Sequence, residues 1–174
     1  GIAQFIAKRG IHELKKWMRE GYTIAENYDE IYSDWFAIPK SKKLTTIKPS
    51  GTISLLAGAT PGLHYPESNY YIRRVRLAKN SPYIAILRKA GYHVESASED
   101  VESTMVVEFP VDVGEGTKTI NEVSMWEQLN LASLAQENWA DNSVSVTVTF
   151  KEEEAKSIEA ALDYYQFRLK AVSF

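Results

Sequence analysis

Three hydroxyl side chains lie close together in a short bend, Pro49-Ser50-Gly51-Thr52-Ile53-Ser54, where they could bind an anion. A β-branched run precedes the bend and Leu55-Leu56-Ala57 follows it, an order that predicts a strand, a tight turn and the first turn of a helix. The first N–H groups of a helix have no internal acceptor and lie at the positive end of its dipole. Gly51 would let the backbone approach a ligand closely. These residue types fit two interpretations equally well: a phosphate-binding loop at residues 49–54, or a capped turn that binds no ligand.

Two arginines, Arg74 and Arg76, offer a second possible anion site. A strand is predicted over Tyr70–Ala78, and side chains alternate between the faces of a strand, so these two guanidinium groups share one face. Such a pair could bind an anion, but ion pairs on the solvent face of a strand are the commoner arrangement. The sequence favours ion pairs and leaves the anion-binding stripe open.

Metal and thiol chemistry find no support in the residue types. The three histidines, His12, His64 and His93, form neither an H-x-x-x-H nor an H-E-x-x-H pattern, so each is expected to be a surface or packing residue. The chain has no cysteine, which excludes a disulfide, a thiolate ligand, a cysteine nucleophile and a thiyl radical on these 174 residues. We therefore expect no metal site in this chain.

The charge balance excludes a general nucleic-acid coat. Lysine and arginine number 20 against 23 aspartates and glutamates, a net charge of −3, so no excess of positive charge is available to displace counterions from phosphates. No stretch approaches the roughly 18 consecutive apolar residues that a membrane span requires. We expect neither a nucleic-acid partner nor a membrane partner.

Alternating strands and helices must position the bend. Apolar residues at helical spacing predict a first helix through Ile11–Met18 that stops at Gly21, and a second over about Asn27–Phe36. Strands are predicted over 44–48, 70–78, 104–111 and 143–150, and further helices over about 82–90, from 119 or 124 to 139, and from 150 to 169. This alternation predicts an α/β fold. Because no repeat or Gly/Ser linker interrupts the chain, we treat residues 1–174 as one segment.

The clearest strand covers Ser143–Phe150, where four apolar residues alternate strictly with four hydroxyl residues. The pattern predicts one face that packs on helices and one that carries hydroxyl groups. Three S/T-x-x-E capping boxes predict helix starts nearby, at Thr119–Glu122, Ser124–Glu127 and Thr149–Glu152, and the first two compete for the same helix.

Several blocks of the chain closely resemble adenosylcobalamin-dependent (class II) ribonucleoside-triphosphate reductases of the monomeric type. The blocks are Thr45–Leu55, which contains the bend, Pro61–Pro66, Tyr70–Arg76 and, further along, Trp139–Phe150. They occur in the order of the family, and the resemblance covers most of the chain from about residue 22 onward.

The resemblance implies a fold and a chemistry that composition and spacing do not. Family members are cytoplasmic enzymes built on a ten-stranded α/β barrel, and they reduce ribonucleoside triphosphates to deoxyribonucleotides for DNA synthesis. Adenosylcobalamin generates a thiyl radical on a cysteine in a finger loop, a cysteine pair supplies electrons, a thioredoxin-like protein restores that pair, and dNTP effectors regulate activity. The loop that matches Pro49–Ser54 binds the phosphates of the substrate.

This chain departs from the family in having no cysteine, so no catalytic residue is carried over to it. We expect a C-terminal portion of the catalytic barrel, incomplete and cut at both ends, that is inactive by itself and supplies the phosphate-binding loop. The residues that contact cobalamin stay unknown. In this interpretation the hydroxyl face of Ser143–Thr149 lines the barrel interior. The alternative is a stand-alone, non-catalytic module that binds phosphate or nucleotide.

Overall fold

The structure is a computed structural model that describes residues 1–51 and 53–174, apart from the side chains of Leu55 and Leu56. In chain order its elements are α1 (Ile2–Arg9), α2 (Ile11–Phe36), α3 (Ile53–Leu56), β1 (Tyr70–Ala78), α4 (Tyr83–Lys89), β2 (Val94–Ser96), β3 (Thr104–Asp112), a 3₁₀ helix (Ile120–Glu122), α5 (Met125–Asn138), a second 3₁₀ helix (Glu152–Ser157) and α6 (Ile158–Tyr165). Contacts divide the chain into two compact units, although no Gly/Ser linker joins them. The first unit comprises Gly1–Glu67 with Val113–Phe174, and the second Ser68–Asp112. No helix among the described residues combines the length and apolarity needed to cross a bilayer.

The prediction of separate helices over Ile11–Met18 and about Asn27–Phe36 is wrong, because α2 is one helix of 26 residues that passes through Gly21. A Cβ atom on Gly21 would lie 3.2 Å from Cζ3 of Trp139, so the glycine lets the indole ring pack against the helix backbone. The helix ends instead at Ala37, which has a left-handed backbone conformation with φ of +52°. Gly21 is therefore a packing residue and not a helix stop.

The core of the first unit is built around α5. Five of its residues, Met125, Leu129, Leu131, Ala132 and Ala135, are at most 2% exposed. They belong to one apolar cluster with the valines of the predicted strand 143–150 and with buried residues of α6. Burial of this kind stabilises a fold by about 25 cal/mol for each Å² of apolar surface removed from water.

The segment 143–150 keeps the predicted alternation but forms no regular strand. Val144, Val146 and Val148 are buried, whereas the hydroxyl residues between them are exposed. The valine face therefore packs on helices as predicted. The expectation that the hydroxyl face lines an enclosed interior is wrong for this chain taken by itself, because that face is open.

Side chains interrupt the hydrogen-bond ladder of this segment. The N–H of Val144 donates to Oε1 of Gln136 (3.1 Å), and the N–H of Thr149 donates to Oε1 of Gln128 (3.0 Å). Nε2 of Gln128 also donates to the carbonyl oxygen of Thr149 (2.9 Å). Because two glutamines of α5 occupy positions that a neighbouring strand would fill, the backbone is extended without being paired along its length.

Three extended segments, residues 44–48, residues 143–150 and the stretch that contains Ser173, nevertheless lie side by side in the same direction. The N–H of Asn142 donates to the carbonyl oxygen of Thr45 (3.2 Å), and that of Ser145 donates to the carbonyl oxygen of Ile47 (3.3 Å). On the other side, Thr147 and Ser173 form a parallel bridge. The predicted strand 44–48 is thus an extended segment with isolated hydrogen bonds, because too few bonds link it to its neighbour to form a ladder.

Both of the competing capping boxes are used, each by its own helix. Thr119 and Glu122 begin the first 3₁₀ helix, and the Ser124 hydroxyl accepts a hydrogen bond from the N–H of Glu127 at the start of α5. The third predicted box is wrong. Its threonine, Thr149, bonds to Gln128, and Glu154 accepts from the N–H of Lys151 (2.9 Å) instead.

The second unit contains a three-stranded antiparallel sheet in the order β1-β3-β2. β1 pairs with β3 along its whole length, from Tyr70 opposite Asp112 to Ala78 opposite Thr104. The predicted strands at 70–78 and 104–111 and the predicted helix at 82–90 are confirmed to within two residues. The short β2 was not predicted.

Asp141 fastens the amino ends of the extended segments to α2. Its Oδ1 accepts a hydrogen bond from the hydroxyl of Tyr22 (2.9 Å), and its Oδ2 accepts one from the N–H of Leu44 (2.8 Å). Burial alone would raise the pKa of this carboxyl, but hydrogen bonds from Leu44, Tyr22 and Thr45 lower the pKa below its ordinary value. The carboxylate form is therefore the one that stabilises the fold.

We expect Asp141→Asn to lower the free energy of unfolding by about 1–2 kcal/mol at neutral pH, because hydrogen bonds to a charged acceptor are lost. A lowered pKa means that the stabilisation is present above the unfolded pKa and disappears as the pH falls through the folded one. The deficit of the variant should therefore shrink between about pH 5 and pH 3 in urea unfolding curves. Asp163→Asn is the control, since within the described part of the chain the Asp163 carboxylate accepts a hydrogen bond only from Gln166. An equal deficit at both pH values would contradict this account.

Candidate phosphate-binding loop

The bend 49–54 lies at the carboxyl end of the extended segment 44–48 and leads into α3. Pro49 is exposed, and Ser50 and Gly51 are half-buried. Ser50 has a left-handed backbone conformation with φ of +46°, which is uncommon for a residue other than glycine. The predicted order of extended segment, tight turn and helix is thus present. Thr52, one of the predicted hydroxyl donors, lies outside the described residues.

Hydrogen bonds inside the bend fix its shape. The N–H of Ser54 donates to the carbonyl oxygen of Ser50 (3.2 Å), and the hydroxyl of Ser54 donates to the same oxygen (2.5 Å). Ser54 is buried, so its hydroxyl closes the turn and does not face outward. The hydroxyl oxygen of Ser50 accepts a hydrogen bond from the N–H of Gly62 (3.3 Å), which leaves its own proton free to be donated.

A second turn, over residues 60–64, packs against the backbone of the bend at Gly62. Gly62 has φ of +54°, and a Cβ atom there would lie 2.8 Å from the carbonyl oxygen of Lys48 and 3.3 Å from Cα of Pro49. The buried hydroxyl of Thr60 has no hydrogen-bond partner among the residues that the structure describes. Because the turn at Gly62 approaches the backbone of Lys48 and Pro49 so closely, position 62 requires glycine.

The outer side of the bend remains open to an anion. Ile53 is 74% exposed, and as the first residue of α3 its N–H has no intrahelical acceptor. The neighbouring Lys48 is exposed and adds a positive charge. Because α3 has only four residues, its dipole is small, so an anion at the bend would depend on individual hydrogen-bond donors.

The arginine pair is confirmed as part of surface ion pairs. Arg74 contacts both Glu95 and Glu108, and Nη2 of Arg76 lies 2.9 Å from Oε2 of Glu99. With carboxylates already beside them, these guanidinium groups are poorly suited to bind an anion. Exposed pairs of this kind contribute little to stability, typically about 0–1 kcal/mol.

One group of possible metal ligands occurs among the described residues, formed by His93, Glu95 and Glu108 in the second unit. Their ligand atoms lie within 4.8 Å of one another. Arg74 contacts both carboxylates and already offsets one of their two negative charges. We assign no metal to this group.

Comparison with known proteins identifies the family. A model of the ribonucleotide reductase barrel domain matches residues 40–173. The chain belongs to this family. An adenosylcobalamin-dependent ribonucleoside-triphosphate reductase of Euglena gracilis is 55% identical to it over 175 residues, which cover 100% of this chain and 24% of that protein. The enzyme of the same description from Lacticaseibacillus paracasei is 37% identical over 92% of this chain and 22% of its own length.

A solved structure agrees with this assignment to the ribonucleotide reductase family. The crystal structure of a B-12 dependent (class II) ribonucleotide reductase superposes with a TM-score of 0.80 at 34% identity, over 93% of this chain and 23% of the other. The predicted fold, an incomplete part of the α/β reductase barrel, is confirmed. The chain spans about a quarter of the length of the curated relatives that it matches.

Sequence reasoning about this reductase segment missed two contacts of the site. The close approach of Gly62 to Lys48 could have been suspected, because the Pro61-Gly62 dipeptide signals a tight turn. The contact of His64 with Thr147 carries no local signal, since the two residues are 83 positions apart.

Proposed function

We propose that this chain is a segment of an adenosylcobalamin-dependent ribonucleoside-triphosphate reductase and that residues 49–54 hold the phosphates of the substrate. The observation that supports the second part is the exposed outer side of the bend, where Ile53 is 74% exposed and the hydroxyl of Ser50 retains a proton to donate. Relatives that contain this segment within a much longer reductase favour this function over a stand-alone module.

The contribution of the segment to the reaction is positional. Ribonucleotide reduction by this route needs a cysteine radical and a cysteine pair, and this chain contains no cysteine. The loop would hold the triphosphate so that the ribose lies over a cysteine supplied by the rest of the enzyme. Fixing a reactant in this way lowers a barrier by up to several kcal/mol.

Adenosylcobalamin would initiate the radical when bound, but we assign no residue of this chain to it. A cleft between α2 and α5, lined by Arg19, Tyr22, Trp139 and Asp141 among others, has a volume of about 370 Å³ and is open to solvent. A cleft of this size does not enclose a corrinoid. The thioredoxin-like reductant, the dNTP effector and the cytoplasmic location belong to the same proposal for the whole enzyme.

The double variant Ser50→Ala/Gly51→Val tests the loop in the full-length enzyme. We expect the affinity for a ribonucleoside triphosphate to fall by about 1–3 kcal/mol, because a hydroxyl donor is lost and the new side chain blocks approach to the backbone. Equilibrium binding measures this affinity. Ser98→Ala, an exposed serine in the second unit, is the control for nonspecific effects. Unchanged affinity in a folded double variant would refute the proposed role of the loop.

A further inference from the structure

His64 contacts backbone atoms on both sides of its ring. Its Nδ1 lies 3.3 Å from the carbonyl oxygen of Pro61, and its Nε2 lies 3.2 Å from the backbone nitrogen of Thr147. The first neighbour only accepts hydrogen bonds and the second only donates. The surroundings therefore fit one form of the ring, the neutral tautomer with the proton on Nδ1 and a lone pair on Nε2.

These contacts place His64 between two parts of the first unit. On one side is the turn 60–64, which supports the bend, since the N–H of Gly62 donates to the hydroxyl oxygen of Ser50. On the other side is the extended segment 143–150, whose valines are anchored in the core. A continuous set of hydrogen bonds thus runs from Thr147 through His64 and its turn to Ser50.

We infer that His64 is a positioning residue that fixes the bend 49–54 in the shape needed to bind the triphosphate. The inference rests on the proposed function of that bend. Among the described residues His64 hydrogen-bonds to the turn and to Thr147 but not to the bend, so it acts on the ligand through Ser50 and is not itself a binding group. The atom that carries this role is Nε2, because it accepts the hydrogen bond from the N–H of Thr147 and so joins the turn to a segment anchored in the core.

Substitution of His64 by asparagine or by glutamine distinguishes the roles of its two ring nitrogen atoms. The amide of asparagine reaches about as far as Nδ1 and falls short of Thr147, whereas the amide oxygen of glutamine reaches about as far as Nε2 and accepts from the N–H of Thr147. We expect His64→Asn to raise the dissociation constant of a ribonucleoside triphosphate about fivefold or more in the full-length enzyme, and His64→Gln to stay within about twofold of wild type. His12→Asn, at an exposed histidine of α2, is the matched control.

Hydrogen–deuterium exchange provides a readout that is independent of the ligand. In the full-length enzyme without nucleotide, peptides that cover 143–150 should exchange faster in His64→Asn and unchanged in His64→Gln. Peptides from α5 should show wild-type exchange in both variants, which establishes that the core is folded.

Each other outcome overturns the inference. If exchange at 143–150 is the same in both variants, His64 does not hold this segment. If His64→Asn opens the segment but binds nucleotide normally, the contact is structural only. If both variants lose affinity equally, the ring acts through its bulk and not through Nε2. Weak binding by Ser50→Ala/Gly51→Val together with normal binding by His64→Asn would refute this inference alone, whereas normal binding by the double variant would refute the proposed function of the loop.

Discussion

Gly62→Ala is expected to lower the free energy of unfolding by about 2–4 kcal/mol, the sum of a left-handed backbone penalty and a steric clash. The clash is with backbone, since the new Cβ would lie 2.8 Å from the carbonyl oxygen of Lys48. Relief requires the turn 60–64 or the bend 49–54 to shift. Because the N–H of Gly62 contacts the Ser50 hydroxyl, we also expect the affinity for a ribonucleoside triphosphate to fall at least tenfold, equivalent to about 1.4 kcal/mol.

Gly58→Ala is a closely matched control for this variant. Gly58 has φ of +61°, similar to the +54° of Gly62, but none of the heavy atoms that the structure describes lies within 4 Å of its ideal Cβ position. It should therefore show only the conformational penalty of about 1–2 kcal/mol and bind nucleotide normally. Denaturant unfolding and equilibrium nucleotide binding measure the two effects. Equal losses in the two variants would mean that conformation alone, and not the close approach to Lys48, requires glycine at position 62.

Gln128→Met is expected to lower the free energy of unfolding by about 2–3 kcal/mol, a large effect for a nearly isosteric change. The Gln128 side chain is 5% exposed, and its amide binds both the N–H and the carbonyl oxygen of Thr149. Methionine fills the same space but leaves these groups without their partner. Denaturant unfolding of the full-length enzyme should show the loss as a lower transition midpoint.

Gln166→Met provides the comparison. Gln166 is exposed, and Asp163 is its side chain's only hydrogen-bond partner among the residues described, so its replacement should change stability by no more than about 0.5 kcal/mol. A loss of similar size in both variants would show that the hydrogen bonds between Gln128 and Thr149 contribute nothing particular.

Local signals predicted the elements whose boundaries are set locally. The strand β1, the helix α4 and the capping boxes at Thr119 and Ser124 depend on signals within a few residues, and all are present in the structure, although the N-cap of α4 is Pro82 and no side chain caps it. The bend 49–54 belongs to the same class, because a proline, a glycine and hydroxyl residues define a tight turn by themselves.

Contacts between distant residues account for what the sequence could not predict. In the sequence Gly21 indicates the end of a helix, whereas in the structure it makes room for Trp139 against the helix backbone. In the sequence Thr149 indicates a helix cap, whereas in the structure its backbone N–H donates to Gln128. The alternation of Ser143–Phe150 correctly predicted which side chains are buried, but burial does not reveal whether side chains or a neighbouring strand bind the backbone.

The common direction of the three extended segments separates two kinds of substitution. At their amino ends, Asp141 and Thr45 join two of the segments to one another and to α2, at the end opposite to the bend 49–54. At their opposite rim the chain turns into 49–54 and meets His64 at Thr147. Laboratory evolution toward another nucleotide would therefore gain most from libraries restricted to this rim. Substitutions at the amino ends of the segments would mainly reduce the fraction of variants that fold.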